Sequence, residues 1–165
     1  MQSTSKGIIQ FVLALMLLVS TSLNVASAST ESEVETVNDM RVLEEQASAA
    51  DLPVLLLFTA EECDYCEAIR AHYLEPMIRT GQYASSLLFR QLYVDEFRYL
   101  RNRRGELVGG DQMALKFDVE VTPTILFIDA SGKELAQRIV GLSGADYFDK
   151  TLSTHISQAQ SNYQK

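Results

Sequence analysis

Three largely apolar runs divide the chain, and each one is followed by turn-forming or polar residues. They span residues 54–58, 87–94 and 125–128. The first run shows no alternation of apolar and polar positions, which is typical of a strand buried on both faces of a sheet. We predict one strand from each run. A fourth strand over 133–140 follows a short turn, so it should pair antiparallel to the third.

Apolar residues at helical spacing lie between the predicted strands. They recur every three to four positions over residues 34–47, which predicts an amphipathic helix that stops before Pro53. A long stretch over 63–81 and a final one after Ser143 also have a helical pattern, and a short helix is predicted over 112–117. The order of these helices and strands predicts an α/β domain.

The apolar residues over 97–110 follow neither the period of a helix nor that of a strand. This segment contains a cluster of arginines and closes on two glycines, so we interpret it as an insertion that forms a surface loop. The cluster consists of Arg101, Arg103 and Arg104. We interpret these arginines as solvated side chains, and docking of an acidic partner is the alternative.

Acidic residues outnumber basic residues over the whole chain. The sequence has 22 Asp and Glu against 14 Lys and Arg, and its formal net charge is −8. A chain of this charge is repelled by nucleic acid and by anionic membrane surfaces, so we expect neither as a partner. Hydrophobic residues make up 47% of the chain, which is enough for an ordinary buried core.

The first 28 residues have the pattern of a secretory signal peptide. Lys6 gives a positive start, residues 8–19 are apolar apart from one glutamine, and the tripeptide 26–28 (Ala-Ser-Ala) has the form of a cleavage site. The apolar stretch is shorter than the roughly 20 residues that span a bilayer. We predict cleavage near Ala28, export to the periplasm and one domain over 29–165. The alternative is an uncleaved anchor, and the chain would then contact a membrane only through this segment.

The two cysteines of the chain, Cys63 and Cys66, lie two residues apart at a predicted strand-to-helix junction. Thiols of an exported protein pair readily, but a disulfide that closes so short a loop adds little stability. A zinc site needs four ligands, and His72 and His155 do not lie at the spacing of known zinc motifs. We expect both histidines at the surface. A metal site is therefore the weaker alternative to a redox-active pair.

The cysteine pair and a second motif together resemble the thioredoxin superfamily. The resemblance is carried by Phe58-x-Ala60-x-x-Cys63-x-x-Cys66, by Val121-Thr122-Pro123-Thr124 before a strand, and by Gly141 after the last strand. It covers about residues 34–160. The resemblance implies a thioredoxin-like fold, with a central mixed four-stranded sheet flanked by helices. It also implies a cis Thr122–Pro123 bond and a Pro123 that lies against the cysteine pair.

Three positions depart from the pattern of the family. Glu62 stands where members usually have Trp, Leu57 stands where thioredoxin has a buried Asp that helps proton transfer, and Gln91 stands near the place of a thioredoxin Lys. The spacing between Asp95 and Pro123 is more similar to exported thioredoxin-related proteins than to cytoplasmic thioredoxin. Cys-x-Tyr-Cys followed by Thr-Pro is similar to periplasmic disulfide isomerases.

Exchange chemistry needs one cysteine that can attack as a thiolate. Cys63 at the start of a helix is close to free N–H groups and to the positive end of the helix dipole, so we predict that it is the nucleophile. Cys66, one turn further, is then the resolving thiol. Four carboxylates, at 61, 62, 64 and 67, disfavour a thiolate and so make the disulfide less oxidising.

Four further residues complete the predicted site. Thr122 and Pro123 should line a groove for an extended peptide, with setting the next strand as their structural role. Tyr65 either packs beside the pair or faces solvent. Glu62 is either a substitute for the missing buried base or a solvated charge.

These features predict a periplasmic thiol–disulfide oxidoreductase that acts on protein or peptide disulfides and thiols, with a lean to the reductase direction. No cofactor is expected beyond the redox-active disulfide, and an exported or membrane protein should donate electrons. Disulfide isomerase or oxidase is one alternative. A thioredoxin-like peptide-binding module with little turnover is another, from a different class of function.

Overall fold

The structure is a computed structural model that describes residues 33–164. The predicted signal peptide over 1–28 lies outside the described residues, so its cleavage and the export of the chain stay predictions. Within 33–164, no helix combines the length and the apolar character needed to cross a membrane.

Three buried strands form the centre of the sheet, as the apolar runs predicted. They are β2 (Val54–Thr59), β3 (Leu88–Tyr93) and β6 (Thr124–Ile128). β2 lies in the middle, parallel to β3 and antiparallel to β6. Every residue of β2 and β6 is buried, because helices cover both faces of the sheet. The predicted α/β fold with a mixed sheet flanked by helices is therefore confirmed.

The sheet has five strands rather than the predicted four. β1 (Glu35–Thr36) pairs in parallel with β3 at one edge, and β7 (Ile139–Val140) pairs antiparallel with β6 at the other. The antiparallel orientation of the last strand agrees with the prediction. Its length does not, because the predicted strand over 133–140 is reduced to β7 and one isolated bridge from Glu134 to Ile128.

The extra strand arises where the sequence predicted the start of a helix. Val34 and Val37 are both buried, but they join the hydrophobic clusters on opposite faces of the sheet. A spacing of three places two side chains on opposite sides of an extended chain, so it is not specific to a helix. Helix α1 (Met40–Ala50) begins later because the Asp39 carboxylate accepts a hydrogen bond from the Arg41 N–H and caps it.

The cysteine pair stands at the start of a long helical segment. This segment consists of α2 (Asp64–Ile69), a π-helical turn (Arg70–Leu74) and α3 (Glu75–Thr80). Pro76 lies in the first turn of α3, where a missing N–H is tolerated. Gly81 ends the segment with a φ of 67°, a value that glycine adopts without strain.

The insertion over 97–110 folds as a β-hairpin rather than as the predicted loop. Its strands are β4 (Tyr99–Arg101) and β5 (Leu107–Gly109). The buried Asn102 organises the turn between them, because its side-chain oxygen accepts the N–H groups of Arg104 and Glu106. Strands of three residues are too short for an alternating pattern to be recognised in the sequence.

Alternate residues of the central strands enter two hydrophobic clusters, one on each face of the sheet. Leu55 and Leu57 pack with α2 and with the C-terminal helix α5 (Ala145–Tyr163). Leu56 and Phe58 pack with α1 and with α4 (Gly110–Lys116) on the other face. The cysteine helix is thereby held on a rigid sheet, at the end where β2 stops and β6 starts.

Candidate active site

Cys63 and Cys66 form a disulfide at the junction of β2 and α2. Cys63 is the N-cap of α2, with an extended backbone, and its Sγ accepts a hydrogen bond of 3.2 Å from the Cys66 N–H. The two residues differ in burial, because Cys63 is half-buried and Cys66 is 0% exposed. An incoming sulfur atom can therefore approach Cys63 and not Cys66.

The loop that leads into the pair is held by residues that follow β3. The Glu61 N–H donates to the Asp95 carboxylate at 3.2 Å, and the Glu61 carboxylate forms an ion pair with Arg98. The guanidinium of Arg98 also lies 4.9 Å from the centre of the Tyr93 ring, as a cation–π contact. The cysteine loop is thus fixed to the segment that begins the inserted hairpin.

Two of the four carboxylates near the pair are neutralised by arginines. Glu61 pairs with Arg98, and Glu67 pairs with Arg70. Glu62 is exposed, as is Asp64, and neither forms an ion pair within the described part of the chain. The negative charge around the cysteines is therefore smaller than the sequence alone suggests.

A polar network lies beneath the cysteine helix, where thioredoxin has its buried acid. Leu57 is fully buried, and its partner across the parallel register is Gln91. The side-chain oxygen of Gln91 accepts a hydrogen bond of 3.2 Å from Arg70 Nη1, which also donates to the Tyr93 hydroxyl at 3.3 Å. The sheet thus offers no carboxylate at this position, and an arginine from the helix faces it instead.

The charge of Arg70 is maintained in spite of its partial burial. Only 16% of its side chain is exposed. Burial lowers the pKa of the guanidinium, but the hydrogen bond to Glu67 and the neighbouring Tyr93 raise it by more, so its pKa lies above the ordinary value. A fixed positive charge therefore lies between the cysteine helix and β3.

Thr122 and Pro123 lie at the same end of the sheet as the cysteine loop. Thr124 pairs with Phe58 across β6 and β2, so the residues before Thr124 and the residues after Phe58 come to one edge. The Thr122–Pro123 peptide bond is cis. Pro123 is buried and its carbonyl accepts the Gly141 N–H at 2.8 Å, whereas Thr122 is half-buried.

A cleft of about 390 Å³ begins at Thr122. Val94, Leu115 and Val121 contribute apolar side chains to its walls. Leu115 is 66% exposed and Val121 is 55% exposed, so both present apolar surface to solvent. The cleft offers a largely apolar surface next to Thr122.

Tyr65 and His72 lie at the surface, whereas His155 is partly buried. Tyr65 is 65% exposed and faces solvent. His72 is exposed, but His155 differs from the prediction, because its ring packs edge-on against Phe127 and its Nδ1 is buried. Within 33–164, no three His, Cys, Asp or Glu side chains come together as a metal site.

Sequence reasoning missed three residues that surround the pair: Arg70, Asp95 and Arg98. Asp95 and Arg98 contact Glu61, and Arg70 contacts Gln91 and Tyr93 besides the nearby Glu67. All but the last of these contacts join distant parts of the chain, so local spacing gives no sign of them. One signal was available for Arg70. Gln91 is a polar residue within an apolar strand, and a buried amide requires partners.

Comparison with protein families identifies a match between residues 40–156 and the thioredoxin-like domain. A comparison with curated protein sequences finds no match. The chain is similar in structure to a poplar thioredoxin h, with 22% identity, a TM-score of 0.52, and coverage of 74% of this chain and 96% of that one. It is also similar to spinach chloroplast thioredoxin f in its short form, with 20% identity, a TM-score of 0.54, and coverage of 78% and 95%.

A third similar structure is a thioredoxin from Malassezia sympodialis, with 20% identity, a TM-score of 0.54, and coverage of 77% of this chain and 90% of that one. Identities at this level establish the shared fold. The family match extends over more than half of the chain and includes both cysteines. The chain therefore belongs to the thioredoxin-like domain family, as a member that carries the cysteine pair of a thiol–disulfide oxidoreductase.

Proposed function

We propose that the protein is an exported thiol–disulfide reductase for disulfides of proteins or peptides. The observation that carries this proposal is the difference in burial within the pair, since Cys63 is half-buried and Cys66 is fully buried. This difference supports Cys63 as the cysteine that attacks the substrate and Cys66 as the resolving cysteine. Thioredoxin-like proteins act on protein thiols and disulfides, which supports the same class of substrate.

The reaction starts from the reduced pair. The Cys63 thiolate, at the positive end of the helix dipole, attacks one sulfur of the substrate disulfide. A mixed disulfide forms, and the other substrate sulfur leaves as a thiolate that takes a proton from solvent. Cys66 then attacks Cys63 Sγ and releases the second substrate sulfur. The Cys63–Cys66 bond is restored, and two electrons have passed to the substrate.

The carboxylates support the lean to the reductase direction. Glu62 and Asp64 flank Cys63 without an arginine partner among residues 33–164, so they disfavour the thiolate and stabilise the disulfide. Solvent screens part of this effect, because both side chains are exposed. We therefore expect a reduction potential closer to the value of thioredoxin, about −270 mV, than to that of strongly oxidising periplasmic proteins, about −120 mV.

The substrate groove runs along Thr122 and Pro123 into the apolar cleft. An extended peptide can bind the backbone there by strand addition, while Leu115 and Val121 contact an apolar side chain. The same groove also fits the peptide-binding module that has little turnover. In an exported protein, the electrons that regenerate the dithiol come from another exported or membrane protein.

Reduction of insulin by dithiothreitol tests the proposal. The purified protein should accelerate the reaction, and Cys63→Ser should abolish the acceleration because the attacking sulfur is lost. Cys66→Ser should accumulate a mixed disulfide, which serves as the matched control for a folded protein that still attacks. A wild-type protein no faster than Cys63→Ser would overturn the proposal in favour of the binding module.

The direction of electron flow is measured on the same protein. Equilibration of the pair with glutathione gives its reduction potential, and a value close to about −120 mV would assign the protein as an oxidase instead. Refolding of a substrate with scrambled disulfides tests the remaining alternative, a disulfide isomerase. Recovery of native pairs at a rate above that of the Cys63→Ser protein would indicate an isomerase, because isomerisation requires the attacking cysteine.

A further inference from the structure

We propose that Arg70 is a positioning residue of the redox reaction, whose charge stabilises the thiolate of Cys66 in the resolving step. This inference rests on the proposed function, because it concerns the second half of the same exchange. The proposed role is electrostatic. It concerns the part of the site where the sheet carries Leu57 and Gln91 and no carboxylate. The step that needs help is deprotonation of a fully buried thiol, which burial alone disfavours.

Arg70 lies one helical turn beyond Cys66. The two residues are four positions apart, and the Arg70 backbone N–H donates to the Cys66 carbonyl. Side chains at this spacing lie on one face of a helix, with their Cβ atoms about 5–6 Å apart. Cys66 is fully buried, so the face that it shares with Arg70 is the face toward the sheet.

Contacts with β3 keep the guanidinium on that face. Arg70 Nη1 donates to Gln91 Oε1 at 3.2 Å and to Tyr93 Oη at 3.3 Å. Gln91 is itself fixed, because its amide nitrogen donates to Thr36 Oγ1 at 3.1 Å. Movement of the guanidinium into solvent would break these hydrogen bonds, so its charge stays close to the helix.

Glu67 and Tyr93 are the charged and titratable groups that contact Arg70, and the carboxylates of Glu62 and Asp64, unpaired within 33–164, are exposed at the start of the helix. Glu67 from the helix pairs with Arg70, and Tyr93 is the titratable group on the facing strand. The Glu67 side chain is 61% exposed, whereas that of Arg70 is 16% exposed. Water therefore screens the carboxylate more than the guanidinium, and the sheet contributes no negative charge at Leu57.

The chemical step leaves Arg70 unchanged. The Cys66 thiol releases its proton to solvent, and its thiolate attacks Cys63 Sγ in the mixed disulfide. The bond between Cys63 and the substrate breaks, and the substrate sulfur leaves with the electron pair and is protonated by solvent. Arg70 remains protonated throughout and acts by lowering the free energy of the thiolate.

Two substitutions that break the same ion pair distinguish an electrostatic role from a packing role. Arg70→Met removes the positive charge, so it should raise the apparent pKa of the resolving thiol by about 1. The thiolate fraction then falls about tenfold, but a more basic thiolate is more nucleophilic, so resolution at pH 7 should slow about threefold. Glu67→Gln leaves Arg70 unopposed and should lower the same pKa. If Arg70 acted only through packing, both substitutions would shift the pKa of the resolving thiol in the same direction.

The measurement uses an aromatic disulfide reagent, dithionitrobenzoate, on the reduced protein in a rapid mixer. Attack by Cys63 releases one coloured thiolate, and attack by Cys66 on the adduct releases the second. The pH profile of the second phase gives the pKa of the resolving thiol. Arg70→Lys should restore most of the wild-type profile, because it keeps the charge.

Arg104→Met is the matched control, since it removes an arginine that is also paired with a glutamate but lies exposed on the inserted hairpin. Its profile should equal that of the wild type. Shifts of the same sign in Arg70→Met and Glu67→Gln, or shifts no larger than that of Arg104→Met, would overturn the inference. If Arg70→Met does not fold, Arg70→Gln is measured against Arg70→Lys: a higher pKa in Arg70→Gln supports the inference, and equal pKa values overturn it.

The reagent assay also separates the two proposals. It reports on the cysteine pair without a protein substrate. Opposite shifts in a protein that fails to reduce insulin would overturn the proposed function and support the role of Arg70. Rapid insulin reduction without opposite shifts would overturn the role of Arg70 alone.

Discussion

Two buried threonines near the cysteine pair differ in the bonding of their hydroxyl groups. Thr124 is 2% exposed, and its Oγ1 donates to the Val121 carbonyl at 2.7 Å. Thr59 is 0% exposed, and its Oγ1 has no hydrogen-bond partner among the described residues. A buried polar group without a partner costs about 1–3 kcal/mol of stability.

Replacement of these threonines by valine should therefore have opposite effects on stability. Valine keeps the branched shape in both strands. Thr59→Val removes an unpaired hydroxyl and should raise the free energy of unfolding by about 1 kcal/mol. Thr124→Val leaves the Val121 carbonyl without its donor and should lower it by about 1 kcal/mol. Urea unfolding of the oxidised proteins measures both, and a loss of stability in Thr59→Val would show that its hydroxyl is bonded.

At the residue scale, the sequence predicted where the cysteines lie in the fold better than it predicted which side chains surround them. Cys63 and Cys66 lie at the predicted junction because a buried strand and a helix leave strong periodic signals on either side. The pairing of Glu61 with Arg98 could not be predicted, because folding brings the two together from 37 positions apart. The pairing of Glu67 with Arg70 lies at i,i+3 spacing on one helix and was open to prediction. A count of acidic residues near the cysteines therefore overstated the negative charge at the site.

At the scale of elements, long apolar runs were predictable and short strands were not. β2 has six buried residues in succession, so its apolar pattern clearly indicates a buried strand. β1 has two residues and depends on pairing with β3, a contact between distant parts of the chain. Asp39 was the available signal for the later start of α1, since it is a preferred N-cap residue that lies inside the predicted helix.

The inserted hairpin is joined to the core through Gly110, where α4 begins. A Cβ atom at this position would lie 2.0 Å from the Tyr93 carbonyl oxygen and 3.1 Å from that of Asp95. Both are backbone atoms, so no side chain can move away to make room. The absence of a side chain therefore allows α4 to approach the segment that holds the cysteine loop.

Gly110→Ala should destabilise the protein by about 2 kcal/mol, because the end of β3 must shift to admit a methyl group. Chemical denaturation measures the effect. Gly144→Ala is the control, since a Cβ there has nothing within 4 Å, and it should change stability by less than about 0.5 kcal/mol. Equal stability of the two variants would mean that α4 and β3 separate without loss of packing.

At the scale of the whole molecule, the order of elements was enough to predict an α/β domain, and the resemblance to the thioredoxin superfamily implied the mixed sheet. A strand, the cysteine helix, a second strand and an antiparallel pair of strands allow few arrangements once both faces of the sheet must be covered. The number of strands could not be predicted in the same way, because β1 and β7 at the edges of the sheet have only two residues each. The predicted location of the protein rests on a different kind of signal, a targeting pattern in the sequence of residues 1–28.

Export is testable with the full chain produced in a bacterium that has a periplasm. The protein should appear in the periplasmic fraction, with a mass that corresponds to a start at Ser29. Ala28→Lys should block processing, because the position before the cleaved bond requires a small residue. A full-length mass in the membrane fraction of the wild type would instead identify residues 1–28 as an anchor.

The contacts of Gln91 have a practical consequence for the design of a recombinant protein. Its amide nitrogen donates to the Val34 carbonyl at 2.8 Å and to Thr36 Oγ1 at 3.1 Å, and its oxygen accepts from Arg70. A gene that is trimmed to start at Met40, the first residue of α1, would remove both acceptors and leave an unpaired amide beside the guanidinium. Purified material for redox measurements should therefore begin upstream of Val34.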